Sequence, residues 1–139
     1  GKTIDEKFAH TYYDQIGLGI DFTARDLQAK CKEFGHPWEM AKAFDQSAVV
    51  SEKFIDKKEF SADNISFHLK KNQKTVQKGN SSDMIFSPEK IISYVSKFMT
   101  LKIGDLIFTG TPAGVGKVQI NDTLEGFIEN KLMFKVKIK

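Results

Sequence analysis

Three clusters of side chains in this sequence have the chemistry of a site. The first is G-I-D-F-T-A-R-D-L-Q, Gly19 to Gln28. Asp21 is a hard oxygen ligand, suited to Mg²⁺ or Mn²⁺. Arg25 and Gln28 stand three apart, so on a helix they share one face. Arg25 offers a planar fork that matches a carboxylate, with a neutral amide beside it. The second cluster is Lys42 in M-A-K-A-F-D, a cation between two alanines that could be aimed at an anionic group. The third is G-D-L-I-F-T-G-T-P-A-G-V-G, Gly104 to Gly116, where two threonines enter a glycine-rich loop whose N–H groups and hydroxyls can hold an anion. The first two have plainer accounts. Thr23 capping a helix with a solvated Arg25–Asp26 surface explains the first cluster, and an ordinary loop lysine explains the second. Spacing alone favours the plainer account of the first.

The elements that must carry these residues are legible in outline. Thr3-Ile4-Asp5-Glu6 has the form of a capping box, predicting a helix to about Tyr13 with Ile4, Phe8 and Tyr12 on one face. Ile16, Leu18, Ile20 and Phe22 alternate with Gly17, Gly19 and Asp21, predicting a strand whose glycines admit another backbone or a ligand. Thr23 then opens a helix that Gly35 ends, which puts Asp21 at a strand end just before a helix. His36 to Phe44 reads as loop, 48–51 as a short strand, and the stretch beyond as a charged connection. Ile65, Phe67 and Leu69 form a strand that Thr75–Gln77 pairs with through a turn at Asn72-Gln73. Ser87-Pro88 starts a helix that runs to about Thr100. Leu106–Phe108 reads as a buried strand, and Thr123 to Lys139 as two more. The sum is a β-rich α+β domain, one unit over residues 1–139.

Composition excludes several classes. The chain has 139 residues, enough to bury a core, and its 40% hydrophobic and 28% charged residues are ordinary for a globular protein. No apolar run is long enough for a bilayer span, and the start does not read as a signal peptide. The net charge of +3 is spread among acids, unlike the concentrated basic face of a nucleic-acid binder. The single cysteine, Cys31, cannot pair internally, which suits a reducing compartment such as the cytoplasm, and it reads as a small semi-buried residue. A P-loop is ruled out because Gly110 stands one residue too far from Gly116-Lys117 and Val118 replaces the hydroxyl residue. His10, His36 and His68 lack zinc-site spacing and read as surface or helix residues; no Ser-His-Asp signature is present.

Together, D-F-T-A-R-D-L-Q, K-A-F-D, the S-S-D-M-I-F of Ser81 to Phe86 and G-D-L-I-F-T-G-T-P-A-G-V-G resemble, in order and separation, the fumarylacetoacetate hydrolase family. The acylpyruvase and oxaloacetate-decarboxylase branch is the nearest in look. The resemblance covers nearly the whole chain and reverses those plainer accounts. It implies a mixed-sheet β-roll with a few peripheral helices, usually a homodimer, with no nucleic-acid or membrane partner. It implies Mg²⁺, Mn²⁺ or Ca²⁺ held by a Glu-x-Glu pair and one aspartate, matched here by Asp21. Arg25, Gln28, Lys42 and Thr111 would then surround the carboxylate and keto oxygens of a small 2-oxo acid, with Lys42 and Arg25 stabilising the enolate released when a C–C bond breaks.

The reaction so implied is hydrolysis or decarboxylation of acylpyruvates, oxaloacetate or fumarylpyruvate. The alternatives are a 2-hydroxyhepta-2,4-diene-1,7-dioate isomerase or 5-oxopent-3-ene-1,2,5-tricarboxylate decarboxylase, and a non-catalytic fragment or scaffold that keeps the fold. In the family the Glu-x-Glu pair lies upstream of the opening helix, as do the acid–base Glu and His of a lid; Glu33, Glu39 and Glu52 do not form the pair. The expectation is therefore weak metal binding and little turnover by these 139 residues alone, with open sheet edges that favour self-association.

Overall fold

The computed structural model describes residues 1–60 and 64–139. Part of the charged connection expected between the strand near Ser51 and the one at Ile65 lies outside the described residues. The architecture is sheet-rich α+β, as the sequence implies. Four strands form the main sheet: β5 (Ser66–Lys71), β6 (Lys74–Asn80), β7 (Thr123–Ile128) and β8 (Lys131–Lys137), in the order β6-β5-β7-β8. Two small sheets stand beside it, one of β1 (Gln15–Ile16) with β4 (Ile55–Asp56), the other of β2 (Gly19–Asp21) with β3 (Ala48–Val50). All these pairings are antiparallel. The helices are α1 (Glu6–Ala9), α2 (Arg25–Phe34), α3 (Glu39–Lys42) and α4 (Pro88–Val95). Among the described residues no helix is long and apolar enough to cross a membrane.

The main sheet follows from alternation, interrupted in β8 where the register shifts opposite Gly126 and Phe127 and two successive residues are buried. Leu124 and Ile128 of β7 and Met133 and Phe134 of β8 are buried, while Glu125 and Lys135 pair on the other face at 2.9 Å. Ile55, Ile65, Ile128, Met133 and Phe134 form the core, with Ile16, Leu18, Ile20, Val49, Phe67 and Leu69 packed against it. Gly126 of β7 is needed there, since a Cβ on it would stand 2.3 Å from the Phe134 ring. The β5–β6 turn is the expected one. Asn72 and Gln73 both have left-handed φ, the geometry that matches the twist of a hairpin. Asn72 also locks the hairpin to β7: its amide donates to Asp122 at 2.7 Å, and its side-chain oxygen accepts from the Thr123 N–H at 2.9 Å. Asp122, nearly buried, also accepts from the Gln119 N–H. That bond, then the Asn72 amide and the Lys71 charge, hold its carboxyl below the usual carboxylate range.

Several sequence expectations need correction. The first helix is capped by Asp5, not Thr3, and covers four residues. Thr3 has a φ of 54°, because its N–H is taken by the Ser96 carbonyl while the Ser96 hydroxyl accepts from Ile4. This tie to the end of α4 buries Ile4 with Ala9 and Ile92 and leaves Phe8 and Tyr12 exposed. The strand from Ile16 to Phe22 is broken, since the Ser51 hydroxyl and N–H bond the backbone of Leu18 and separate β1 from β2. Its glycines do serve close approach. A Cβ on Gly17 would meet the Phe54 ring at 2.7 Å, and one on Gly19 the Phe108 ring at 2.6 Å. Residues 39–42, expected as loop, make the short helix α3.

Helix α4, correctly capped by Ser87 with Pro88 following, ends five residues earlier than the spacing predicts. Glu89 in its first turn is desolvated, which would raise its pKa, but the hydroxyl of Tyr13 at 2.8 Å and bonds from the cap outweigh this and lower it. Leu106–Phe108 is neither strand nor buried: the run finds no neighbouring strand among the described residues, and Leu106 is half exposed. His68 lies on β5 rather than on a helix, its ring stacked on Phe127 at 4.7 Å. Burial, then Lys70 and Lys78, hold its pKa below the ordinary histidine value. Cys31 is buried, as its bland character suggested.

Candidate functional site

The site begins where β2 gives way to α2. Asp21 pairs with Ala48 at the last step of the β2–β3 ladder, and the next bond, Phe22 N–H to the Ser47 carbonyl at 2.8 Å, carries the register one residue on. The chain then turns, and the Ala24 N–H donates to the Ala41 carbonyl at 3.0 Å. That bond joins the entry of α2 to α3, and it sets Arg25 and Lys42, each one residue along, on adjacent backbone. Ala41 is fully buried under this junction.

Lys42 reaches across from the end of α3. Its Nζ lies 2.5 Å from Asp21 Oδ2 and donates to Thr23 Oγ1 at 2.8 Å. The Thr23 hydroxyl in turn donates to the Asp21 carbonyl at 3.3 Å. Sequence reasoning read Thr23 as a helix cap. In the structure α2 starts after Ala24 with no side-chain cap, and Thr23 fixes the lysine instead. A hydroxyl two residues after a strand-end carboxylate was the available signal. Arg25, at the first position of α2, donates to Gln28 Oε1 at 2.9 Å, and Gln28 is buried at 5% exposure. The buried amide holds the guanidinium on the face that the i, i+3 spacing predicted. The other end of α2 is closed by Gly35 with a φ of 66°, as expected.

The glycine-rich loop is placed differently. It starts at the Phe108 ring, packed on Gly19 of β2, and runs to β6. There Gln77 Nε2 donates to both Thr111 Oγ1 and the Pro112 carbonyl, each at 3.1 Å. Gly114, with a φ of 98°, lies so close to the Val76 carbonyl that a Cβ would be 2.3 Å from it. Among the described residues Thr111 is therefore bonded to Gln77 and not to the Asp21–Lys42 pair. Gln77 is the residue sequence reasoning missed, since nothing in a strand pattern marks it as a loop anchor. A cleft lined by Asn72, Gln73, Thr123, Glu125 and Lys135 lies at the turn end of the main sheet and includes none of the site residues.

The structure thus brings Asp21, Thr23 and Lys42 into contact, sets Arg25 with Gln28 beside them, and leaves Thr111 on a loop pinned between β2 and β6. As a metal site this donor set is incomplete. Among the described residues no three His, Cys, Asp or Glu side chains converge as a metal site, and Asp21 Oδ2 is already covered by an ammonium. A single carboxylate does not hold Mg²⁺, which gives up its water reluctantly. These residues by themselves do not fit a divalent ion. As an anion site the arrangement is stronger, with two cations held by a carboxylate and a buried amide at one helix junction.

Comparison with known proteins gives this geometry its context. Residues 2–137 match the family model described as fumarylacetoacetate (FAA) hydrolase C-terminal. A Bos taurus protein named oxaloacetate tautomerase, mitochondrial, is 44% identical over 99% of this chain, which spans 62% of that protein. An Escherichia coli oxaloacetate tautomerase is 47% identical over 78% of the chain and half of its own length. The crystal structure of fumarylpyruvate hydrolase from Pseudomonas aeruginosa in complex with Mn²⁺ and pyruvate superposes with a TM-score of 0.89, at 33% identity, over 99% of this chain and 59% of that one. The chain belongs to the fumarylacetoacetate hydrolase family.

Proposed function

We propose that the protein is an enzyme acting on small 2-oxo acids, oxaloacetate first among them, and that residues 1–139 form one catalytic unit in which Arg25 and Lys42 bind the substrate's anionic oxygens. The observation that carries the reading is the meeting of Asp21, Thr23 and Lys42 beside the Arg25–Gln28 pair at one backbone junction. Hydrolysis of acylpyruvates or fumarylpyruvate, decarboxylation of oxaloacetate, and keto–enol tautomerisation all pass through an enolate conjugated with a carboxylate. Cations at that position stabilise charge as it develops and need no reorganisation at the moment of reaction. The names of the bovine and bacterial relatives favour tautomerisation. In that reaction a proton leaves the enol oxygen, another is delivered to the adjacent carbon as the C=C π bond gives way to C=O, and no carbon–carbon σ bond breaks.

The chain's own residues have separable parts. Arg25, oriented by the buried Gln28 amide, takes the carboxylate in a two-pronged contact. Lys42 faces the keto or enol oxygen, and the backbone bond between Ala24 and Ala41 fixes the distance between the two cations. Thr111, held by Gln77 on the glycine-rich loop, is kept in this proposal as a further substrate contact. We assign Asp21 as one ligand of a divalent ion, Mg²⁺ or Mn²⁺ with Ca²⁺ as a further candidate, whose remaining ligands come from outside these 139 residues. The Mn²⁺ in the Pseudomonas relative supports that assignment. A second reading, a chain that keeps the fold without the chemistry, is favoured by the lack, among the described residues, of any three His, Cys, Asp or Glu side chains grouped to hold a metal ion.

The complete gene product, assayed with Mg²⁺ for decay of enol-oxaloacetate and for hydrolysis of fumarylpyruvate and acylpyruvates, separates these readings. Turnover of at least one, with Arg25→Met lowering kcat/KM by about a hundredfold or more, is the expected result. No turnover of any would leave the non-catalytic reading standing.

We further propose a homodimer in an aqueous, reducing compartment such as the cytoplasm. The chain exposes 10069 Å², whereas a compact chain of this mass exposes roughly 7,300 Å². Ile85, Tyr94, Phe98, Met99 and Ile103 are all more than half exposed, an apolar surface of the kind that association covers. Light scattering showing a clean monomer would contradict the dimer.

A further inference from the structure

Val76, Gln77 and Gly79 of β6 hold the glycine-rich loop from one side. Gln77 Nε2 donates to Thr111 Oγ1 and to the Pro112 carbonyl. Pro112 packs so closely on Gly79 that a Cβ there would stand 2.9 Å from it, and Gly114 sits against the Val76 carbonyl. Gln77 pairs with Leu69 across the ladder, and Leu69 packs on the core, so the amide occupies a place where an apolar side chain is ordinary. At its other end the loop is fixed by the Phe108 ring on Gly19, in the strand that Asp21 ends. Thr111 follows three residues after Phe108, at most roughly 11 Å of extended chain.

The direction of these hydrogen bonds has a chemical consequence. A carbonyl only accepts, so the Pro112 contact requires the nitrogen end of the Gln77 amide to face the loop. That nitrogen carries two protons, one for each oxygen, and so it is also the donor to Thr111. The Thr111 oxygen accepts, and its own proton is not spent on Gln77. Among the described residues that proton meets no other acceptor, and Thr111 is exposed. We infer that Gln77 is a positioning residue, which holds the Thr111 oxygen by one lone pair and presents the Thr111 proton as a donor to an anionic oxygen of the substrate. That this oxygen belongs to a 2-oxo acid rests on the reading proposed above. The hold of Gln77 on the hydroxyl does not, and it is measured without substrate.

The test uses the complete gene product with carbon-13 in the threonine γ-methyl groups. Three-bond couplings to the Thr111 methyl read its χ1 rotamer. A single rotamer is expected in the wild type, and an average in Gln77→Met, which keeps the side-chain length and removes the donor. An averaged wild type, or a rotamer equally fixed in Gln77→Met, overturns the proposal whether or not any 2-oxo acid is turned over. With oxaloacetate as substrate, Thr111→Val should lower kcat/KM by about tenfold or more, the factor that corresponds to a hydrogen bond to a charged group. Gln77→Met should lower it by about fivefold alone and by less than about twofold in the Thr111→Val background, because it acts through that hydroxyl. A residue that merely stabilised the fold would cost the same in both backgrounds. Equal losses in both, or a loss below about twofold in Thr111→Val, overturn the proposal and leave the 2-oxo-acid reading in place. A wild type that turns over no 2-oxo acid defeats that reading, and the couplings then decide the positioning. Should Gln77→Met not fold, the wild-type couplings and Thr111→Val decide it.

Discussion

The four-stranded sheet and the α2–α3 junction are built by different physics. The sheet is an antiparallel ladder with a register shift between Gly126 and Phe127, and in it Leu124, Ile128, Met133 and Phe134 are almost wholly buried. The junction is held by single backbone bonds and by polar side chains, and both members of its ion pair are partly exposed. Burial of apolar area is what stabilises a fold, and partly exposed pairs add little. The comparison sets the residues that carry stability apart from those proposed to carry the chemistry, so substitutions in the two regions should affect different measurements.

The largest effect on stability belongs to the sheet. Phe134→Ala should lower the unfolding free energy by about 3–5 kcal/mol, because it removes a ring on which Gly126 and the core are packed. Chemical denaturation reads this directly, and a loss below about 1 kcal/mol would break the contrast between the regions. Gly126→Ala comes next, at about 1–3 kcal/mol, since the added methyl must push aside the Phe134 ring that lies 2.3 Å from its position.

Acid should find the sheet at Asp122. Its carboxyl is held below the unfolded-state value, so the stability it contributes is present above that value, about 3.9, and is lost as pH falls through the folded pKa. Asp122→Asn should accordingly flatten the decline in melting temperature between neutral and strongly acidic pH. A variant with the same acid sensitivity as wild type would show that the Asn72–Asp122–Gln119 lock does not titrate with folding. The smallest stability effect belongs to the junction: Lys42→Met should change the unfolding free energy by no more than about 1 kcal/mol, as measured by the same denaturation.

The sheet was also the more legible region. Alternation over Thr123 to Lys139, the Asn72-Gln73 turn and the Ser87-Pro88 start are local signals, and each matches an observed element. The misreadings share a cause, which is a distant partner overriding a local preference. Thr3 has the sequence context of a cap, but Ser96 claims its N–H. Leu106–Phe108 has the composition of a strand, but among the described residues no neighbouring strand meets it. Ile16 to Phe22 alternates throughout, yet Ser51 interrupts it.

At the site, the pairing of Arg25 with Gln28 followed from helix geometry alone, whereas the contact of Lys42 with Asp21 spans 21 residues and has no local signal. Family motifs pointed to the same residues without giving that contact. Thr111 shows the limit of a motif: it names the residue, but the hydrogen bond from Gln77 decides where the hydroxyl goes.

The central claim is that the junction of Asp21, Arg25 and Lys42 carries the chemistry while the sheet carries the stability. The most direct measurement is kcat/KM for enol-oxaloacetate in the complete gene product, wild type against Lys42→Met, with the melting temperature of each recorded alongside. The account predicts a loss of about a hundredfold or more in kcat/KM with a melting temperature that barely moves. Activity within about threefold of wild type, in a variant that melts normally, would contradict it.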